Sequence, residues 1–302
     1  MNWVQTQGNF FHFEAGGTIR YIPREDFPEN IHDKDRFNEY TSMAQASQFF
    51  ENGVIELTIV LKENKSFFSI DFSNGGMVVS INSGTTIKAF AIRTYVGGEH
   101  SILDQIIDRE SLRLNHEYAL KIEVLGSSIK VYLDGVLMFN SVFQVVRSQI
   151  QIAARGNAII EVKNFKITIH RPKVFIVMQF SDEYDHLYSK VIKPVCESYG
   201  YECLRGDEYF TTGSILKDII DAINESSVVI ADITPNNPNV FYEVGYSHAL
   251  NKPTILLSDK KRDKLPFDVS GFRTLFYDNT IAGKSEVEDR LKKHLENIQS
   301  RQ

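Results

Sequence analysis

Cysteine is nearly missing from this chain: two residues, Cys196 and Cys203, in 302, with no CxxC pair. A disulfide framework is therefore excluded, and the pair reads as reduced core thiols in a cytoplasmic protein. No apolar run approaches the roughly 18 residues a membrane span requires. Residues Met1 to Gly8 lack a basic segment leading into an apolar one, so no signal peptide is expected. The eight histidines are scattered without i,i+4 pairing, which speaks against a metal site. An excess of positive charge is also lacking. The formal net charge is -6, against direct nucleic-acid binding, although a small nucleotide remains an acceptable ligand. Internal repeats and low-complexity stretches are absent too.

What is present falls into two halves of different periodicity, enough chain for two ordinary domains. Residues 1–170 read as strand after strand. Ile55, Leu57, Ile59 and Leu61 alternate with Glu56, Thr58, Val60 and Lys62, and Tyr118 to Val124 repeats the pattern. Asp134-Gly135 is a type I′ hairpin signal. Many short strands without an amphipathic helix imply an all-β sandwich of jelly-roll type. From Lys173 the period changes. Val174 to Phe180 is a near-continuous apolar run, as in a strand buried on both faces. Helical spacing follows at Tyr184, Leu187, Val191, Val195 and Tyr199, with Pro194 expected to kink it. Strand and helix then alternate to the end, the last helix opening on a capping box of Ser285 and Glu288. Residues 173–302 are accordingly expected to form an α/β, flavodoxin-like parallel sheet of order 2-1-3-4-5.

The most informative stretch is Asp232 to Gly245. An apolar strand ends in Asp232, an Asn/Pro loop follows, and a helix carries Glu243 about one turn in. Ligands of open α/β sheets bind at such strand-to-helix junctions. A carboxylate in a first turn gains a few tenths to about 1 kcal/mol from the helix dipole, which alone could explain Glu243. Its neighbours argue for more. Phe241, Val244 and Gly245 suggest a helix packed closely on the sheet, with Asn239 as its cap. Tyr242 can stack on a ring, Asn237 and Asn239 offer amides to sugar hydroxyls, and Asp232 is a second acid. An acid beneath an anomeric carbon stabilises an oxocarbenium-like transition state, and a second can orient the sugar or move a proton. Gln179 and Phe180 leave the first strand and Asp207 the second. Thr212, Gly213 and Ser214 open a helix whose N–H groups could face a phosphate, or where Ser214 is simply a cap. His248 reads as a packing histidine.

The segments Val174 to Phe180, Ala231 to Thr234, Asn237 to Gly245, His248 to Leu250 and Leu265 to Asp268 resemble bacterial TIR-like domains. These are related to the nucleoside 2-deoxyribosyltransferases. The resemblance implies a domain that cleaves, or at least binds, nucleotides or NAD at the glycosidic carbon, with Glu243 matching the transferases' glutamate nucleophile. Asn237 stands where those transferases often keep an acid, which favours hydrolysis over base exchange. It also implies NAD-cleaving effectors of bacterial antiviral immunity, with sites often completed between subunits in a homo-oligomer. Tyr118 to Ile122, Ile129 to Gly135 and Asn164 to Ile167 resemble a laminin-G or concanavalin-type jelly roll. Such folds often bind glycans through exposed aromatics; Tyr95, Phe139 and Phe143 are open to that role or to core packing.

The leading expectation is an N-glycosidase acting on NAD or a related nucleotide, needing no cofactor, with the sandwich as sensor or interaction domain. Glu243 and Asp232 would be catalytic. Gln179, Phe180, Asp207, Thr212, Gly213, Ser214, Asn237, Asn239 and Tyr242 would hold the substrate. The alternatives are a non-catalytic nucleotide-binding or signalling module, a deoxyribosyltransferase-like enzyme, and a self-assembling scaffold.

Overall fold

The computed structural model describes residues 1–25, 40–63, 66–83, 90–96, 99–106, 112–208, 214–262 and 264–301. Its first fourteen strands are β1 (Trp3–Gln7), β2 (Phe11–Phe13), β3 (Ile19–Tyr21), β4 (Ser42–Phe50), β5 (Gly53–Leu61), β6 (Ser66–Phe72) and β7 (Met77–Ser83), then β8 (Phe90–Val96), β9 (Glu99–Ile106), β10 (Glu117–Leu125), β11 (Ser128–Leu133), β12 (Val136–Val142), β13 (Ser148–Gly156) and β14 (Ile160–Ile169). They form two seven-stranded antiparallel sheets, ordered β1-β4-β13-β6-β7-β8-β9 and β12-β11-β10-β5-β14-β3-β2. Alternation decides what lies between them. Phe68, Ile70 and Phe72 of β6 are buried with Ile152 of β13 and Val79 of β7, while Ile55, Leu57 and Ile59 of β5 face inward from the second sheet. The Asp134-Gly135 turn has positive φ at both residues, 49° and 80°, as a type I′ hairpin requires. Gly53 opens β5 at φ +140°, where a Cβ would sit 2.0 Å from the Thr168 carbonyl oxygen, so only glycine fits that register.

The remaining strands, β15 (Lys173–Val177), β16 (Glu202–Arg205), β17 (Val228–Asp232), β18 (Thr254–Asp259) and β19 (Thr274–Tyr277), form a parallel sheet ordered β16-β15-β17-β18-β19. Its helices are α1 (Asp182–Leu187), α2 (Lys193–Ser198), α3 (Ile215–Glu225), α4 (Pro238–Ala249), α5 (Phe267–Ser270) and α6 (Ile281–Arg301). One buried cluster lies on each sheet face. The first packs Val174, Ile176, Ile230 and Leu257 against Val191, Leu291 and Leu295; the second packs Phe175, Val177 and Val229 against Ile223, Val240 and Val244.

The expected fold class is corrected. The protein is mostly β-sandwich: its two large sheets run from Trp3 to Ile169, and the parallel sheet is a small five-stranded element. Strand length is the physical reason, since β5 and β10 have nine residues and β14 ten, against four to six in the parallel strands. Chain contacts divide the molecule into two units, Met1–Val124 with Ile129–Ser141 and Val145–His170, and Leu125–Ser128 with Val142–Gln144 and Arg171–Gln302.

Local details differ from expectation as well. The Pro194 kink takes the form of a π-helical turn, Tyr188–Ile192, joining α1 to α2. Proline cannot donate to the carbonyl four residues back, and the wider turn absorbs the lost bond. Helix α6 begins at Ile281, where Thr280 Oγ1 accepts from the Gly283 N–H at 3.1 Å, so Ser285 and Glu288 lie within it rather than capping it. Among the described residues no helix is long and apolar enough to cross a membrane.

Candidate functional site

At the carboxyl end of the parallel sheet, Asp232 is 1% exposed and fully engaged. One carboxylate oxygen accepts the Thr234 N–H at 2.8 Å, and the other accepts the Tyr277 hydroxyl at 2.6 Å. Burial raises its pKa, opposed by those bonds; burial also raises that of Tyr277, with the Asp232 charge and hydrogen bond adding to it. Thr234 Oγ1 in turn accepts the Asp259 N–H at 2.9 Å. Asp232 closes a network across the ends of β17, β18 and β19, with a partner from the fold on each carboxylate oxygen.

The Glu243 carboxyl, on α4, has neither hydrogen bond nor ion pair among the described residues, while its backbone carbonyl accepts the Ser247 hydroxyl at 2.8 Å. Burial alone pushes its carboxyl up to about 7. The cap of α4 is Asn237 rather than Asn239: its Oδ1 accepts the Asn239 N–H at 3.0 Å, and Pro238 takes the first helical position, where a missing N–H costs nothing. Gly245 faces open space, so close packing on the sheet comes from Val240 and Val244. Tyr242 is half exposed and Asn239 exposed. Asp207 is bound to Arg205 at 2.6 Å, and Asp185 holds the same guanidinium at 2.6 Å. That cation lies 5.6 Å over the exposed Phe180 ring, beside the partly buried Gln179. Ser214 is the cap residue of α3 but makes no side-chain cap bond. Thr212 and Gly213 lie outside the described residues. His248 stacks on Phe272 at 4.0 Å, as a packing histidine would.

A second candidate was not singled out from sequence: the outer face of the sheet containing β6. Register places Gln45, Gln151, Asp71, Val78 and Arg93 in one row across neighbouring strands. The next row is Ala153, Ser69, Ser80 and Ala91, and beyond it stand Arg155, Phe67 and Asn82. Small side chains thus form a floor between two rows of larger polar and aromatic ones. Burial of the Asp71 carboxyl pushes it up to about 6, against a hydrogen bond from Ser69 and the charge of Arg93. Its Oδ1 is buried without a hydrogen-bond partner among the described residues. A lone buried carboxylate oxygen costs free energy and calls for an explanation. Arg155, itself held down to about 10 by burial, lies 5.1 Å over the Phe67 ring. Of the three aromatics, Tyr95 is 45% exposed, Phe139 is buried and Phe143 partly buried. The signal in the sequence was the run Phe67-Ser69-Asp71, polar-facing against Phe68-Ile70-Phe72, but only register brings Arg93 and Gln151 alongside. Among the described residues no cluster of His, Cys, Asp or Glu could hold a metal ion.

No family model matches the chain, and no curated protein does. Solved structures do align with it. The carbohydrate-binding module CBM66 from Bacillus subtilis is 16% identical over 54% of this chain and 92% of that one, with a TM-score of 0.41. A Bacillus licheniformis beta-glucanase is 13% identical over 56% and 92%, at 0.41. The Caenorhabditis elegans galectin LEC-6 is 13% identical over 49% and 95%, at 0.34. Nothing about this chain's ligand follows from likenesses so distant.

The TIR-like and deoxyribosyltransferase resemblance is corrected: no family model matches, and the structures named above are a carbohydrate-binding module, a glucanase and a galectin. The NAD-cleaving, nucleotide-binding and antiviral expectations rested on that resemblance and are withdrawn with it. In the structure the segments that carried it are a buried parallel strand, the end of a second one and a Pro-opened helix.

Proposed function

We propose that this protein binds carbohydrate on the outer face of its β6-containing sheet. The observation that carries the reading is the buried, unpartnered Oδ1 of Asp71 in a row with Gln151 and Arg93. Sugars are recognised by planar polar side chains that pair with vicinal hydroxyls and by rings that cover their C–H faces. Asp71, Gln151 and Arg93 supply the first, and Phe67 the second. Asp71 Oδ1 is buried, so side chains on this face must move aside to admit a ligand; a sugar hydroxyl then donated to it would remove the cost of leaving it unpaired. The test is titration of the full chain against a panel of immobilised neutral and acidic oligosaccharides. Binding should appear for some member of the panel and fall at least tenfold in Asp71→Ala. If no oligosaccharide binds, or if binding is indifferent to Asp71, the reading fails.

A second reading is favoured by the elevated Asp71 pKa. A carboxyl near 6 is half protonated at about pH 6 and keeps about a tenth of its protons at neutrality, the range in which general acids of glycoside cleavage work. On that reading the protein is an enzyme acting on glycans. Release of new reducing ends from a β-glucan, abolished in Asp71→Asn, would support it; binding without any cleavage would leave the first reading alone.

A further inference from the structure

The parallel-sheet unit contains a cavity of about 430 Å³ between α1, the π turn and the start of α6. That is within the usual size for a small-molecule site. Its wall is apolar and aromatic: Leu187, Val191 and Val287, with the rings of Tyr184 and Tyr277. The Tyr277 hydroxyl is committed to Asp232, so that ring is held rigidly in place. Charge at the mouth is uneven in its partners. Asp278 is paired with Lys260 at 2.6 Å, Lys284 with Glu288 at 3.6 Å, and Glu183 accepts the Asn279 amide at 3.5 Å. Lys190 has no ion pair among the described residues. It sits within the π turn, whose wider winding redirects the side chains it carries and which occurs often at functional sites. The rim thus carries one cation without an ion pair, Lys190, and one carboxylate held by an amide alone, Glu183; an apolar wall with that cation free to reach inward matches one kind of ligand.

We infer that this cavity binds a small amphipathic anion, an aromatic or branched aliphatic body bearing one carboxylate or phosphate group, with the body against Leu187, Val191 and Val287 and the anion on Lys190. Neither the sandwich nor its carbohydrate reading enters this inference. The anionic head could belong to a free acid or to a phosphate monoester, and the probes separate them.

The experiment uses the full chain with benzoate, phenyl phosphate, benzamide and inorganic phosphate, followed by calorimetric titration and by ligand-induced thermal stabilisation. Benzoate or phenyl phosphate should bind, whichever is tighter identifying the head group, and benzamide should bind at least tenfold more weakly. Lys190→Gln, an exposed change that leaves the core intact, should remove that preference for the anion. Leu187→Trp, which fills the cavity, should abolish binding of both aromatic anions. Equal binding of benzoate and benzamide overturns the inference, as does unchanged anion binding in Lys190→Gln. Binding of inorganic phosphate as tight as phenyl phosphate overturns it too, because the wall would then go unread. Absence of any binding at millimolar concentration has the same consequence.

Discussion

Two buried carboxylates, one in each unit, live under opposite conditions. Asp232 ends a parallel strand with both oxygens satisfied, by Thr234 and Tyr277. Asp71 lies on the outer face of a large antiparallel sheet with Oδ1 unpartnered. Burial raises both, so desolvation alone does not separate a structural acid from a candidate site. What separates them is whether the fold itself completes their hydrogen bonds. Of the two acids expected from sequence to be catalytic, Glu243 and Asp232, it is Asp232 whose hydrogen bonds the fold completes.

Removing each acid is the strongest way to break that contrast. Asp232→Ala strands the Tyr277 hydroxyl and the Thr234 N–H in the interior, and should destabilise the parallel-sheet unit by about 3 kcal/mol. Denaturant unfolding followed by a probe in that unit measures it. A loss below about 1 kcal/mol would mean the network is not structural.

Next comes the dependence on pH, read at Glu243 and Asp71, the two acids whose hydrogen bonds the fold leaves incomplete among the described residues. Glu243 is raised from 4.5 to about 7, so the folded state holds a proton the unfolded state has released. Its contribution is intact below about pH 4.5 and is lost as pH rises through 7, on the order of 2 kcal/mol in all. Glu243→Gln should therefore be more stable than the parent at pH 8 and no more stable at pH 4. Equal pH profiles for the two proteins would remove the premise.

Asp71 obeys the same sign in a lower window, from 3.8 to about 6. Asp71→Asn should raise the thermal midpoint of the sandwich at pH 8 by a few degrees, in line with a gain of about 1–2 kcal/mol. A lowered midpoint would show that the carboxylate is paired after all. The smallest effect is expected of Tyr277→Phe, which removes one donor and keeps the ring. It should cost about 1 kcal/mol and raise the Asp232 pKa further, readable as a shift in that carboxyl's NMR titration.

Much of the local structure was legible in the residues. Alternation from Ile55 to Leu61 marked β5, the Asp134-Gly135 pair marked the hairpin between β11 and β12, and the spacing of Val287, Leu291 and Leu295 marked the buried face of α6. Boundaries were less so. Pro238 competes with Asn239 at the start of α4 and wins, because proline suits the first helical position and leaves Asn237 to cap. Thr280 displaces Ser285 at α6 for a similar reason: the first free hydroxyl upstream of the helical run takes the cap. The site was least legible. Asp232 and Tyr277 are forty-five residues apart, and no local pattern announces their hydrogen bond.

Periodicity by itself determined where strands and helices lie, because burying one face imposes a period of two or of 3.6 on any chain. Lack of cysteine, of long apolar runs and of basic excess likewise bounded the chemistry without a structure. Register and packing decided the rest. Which carboxylate is sealed, which is left wanting a partner, and which row of side chains shares a face depend on neighbours distant in sequence. Hydrogen bonds are short-ranged in space, and only the tertiary fold brings their two ends together.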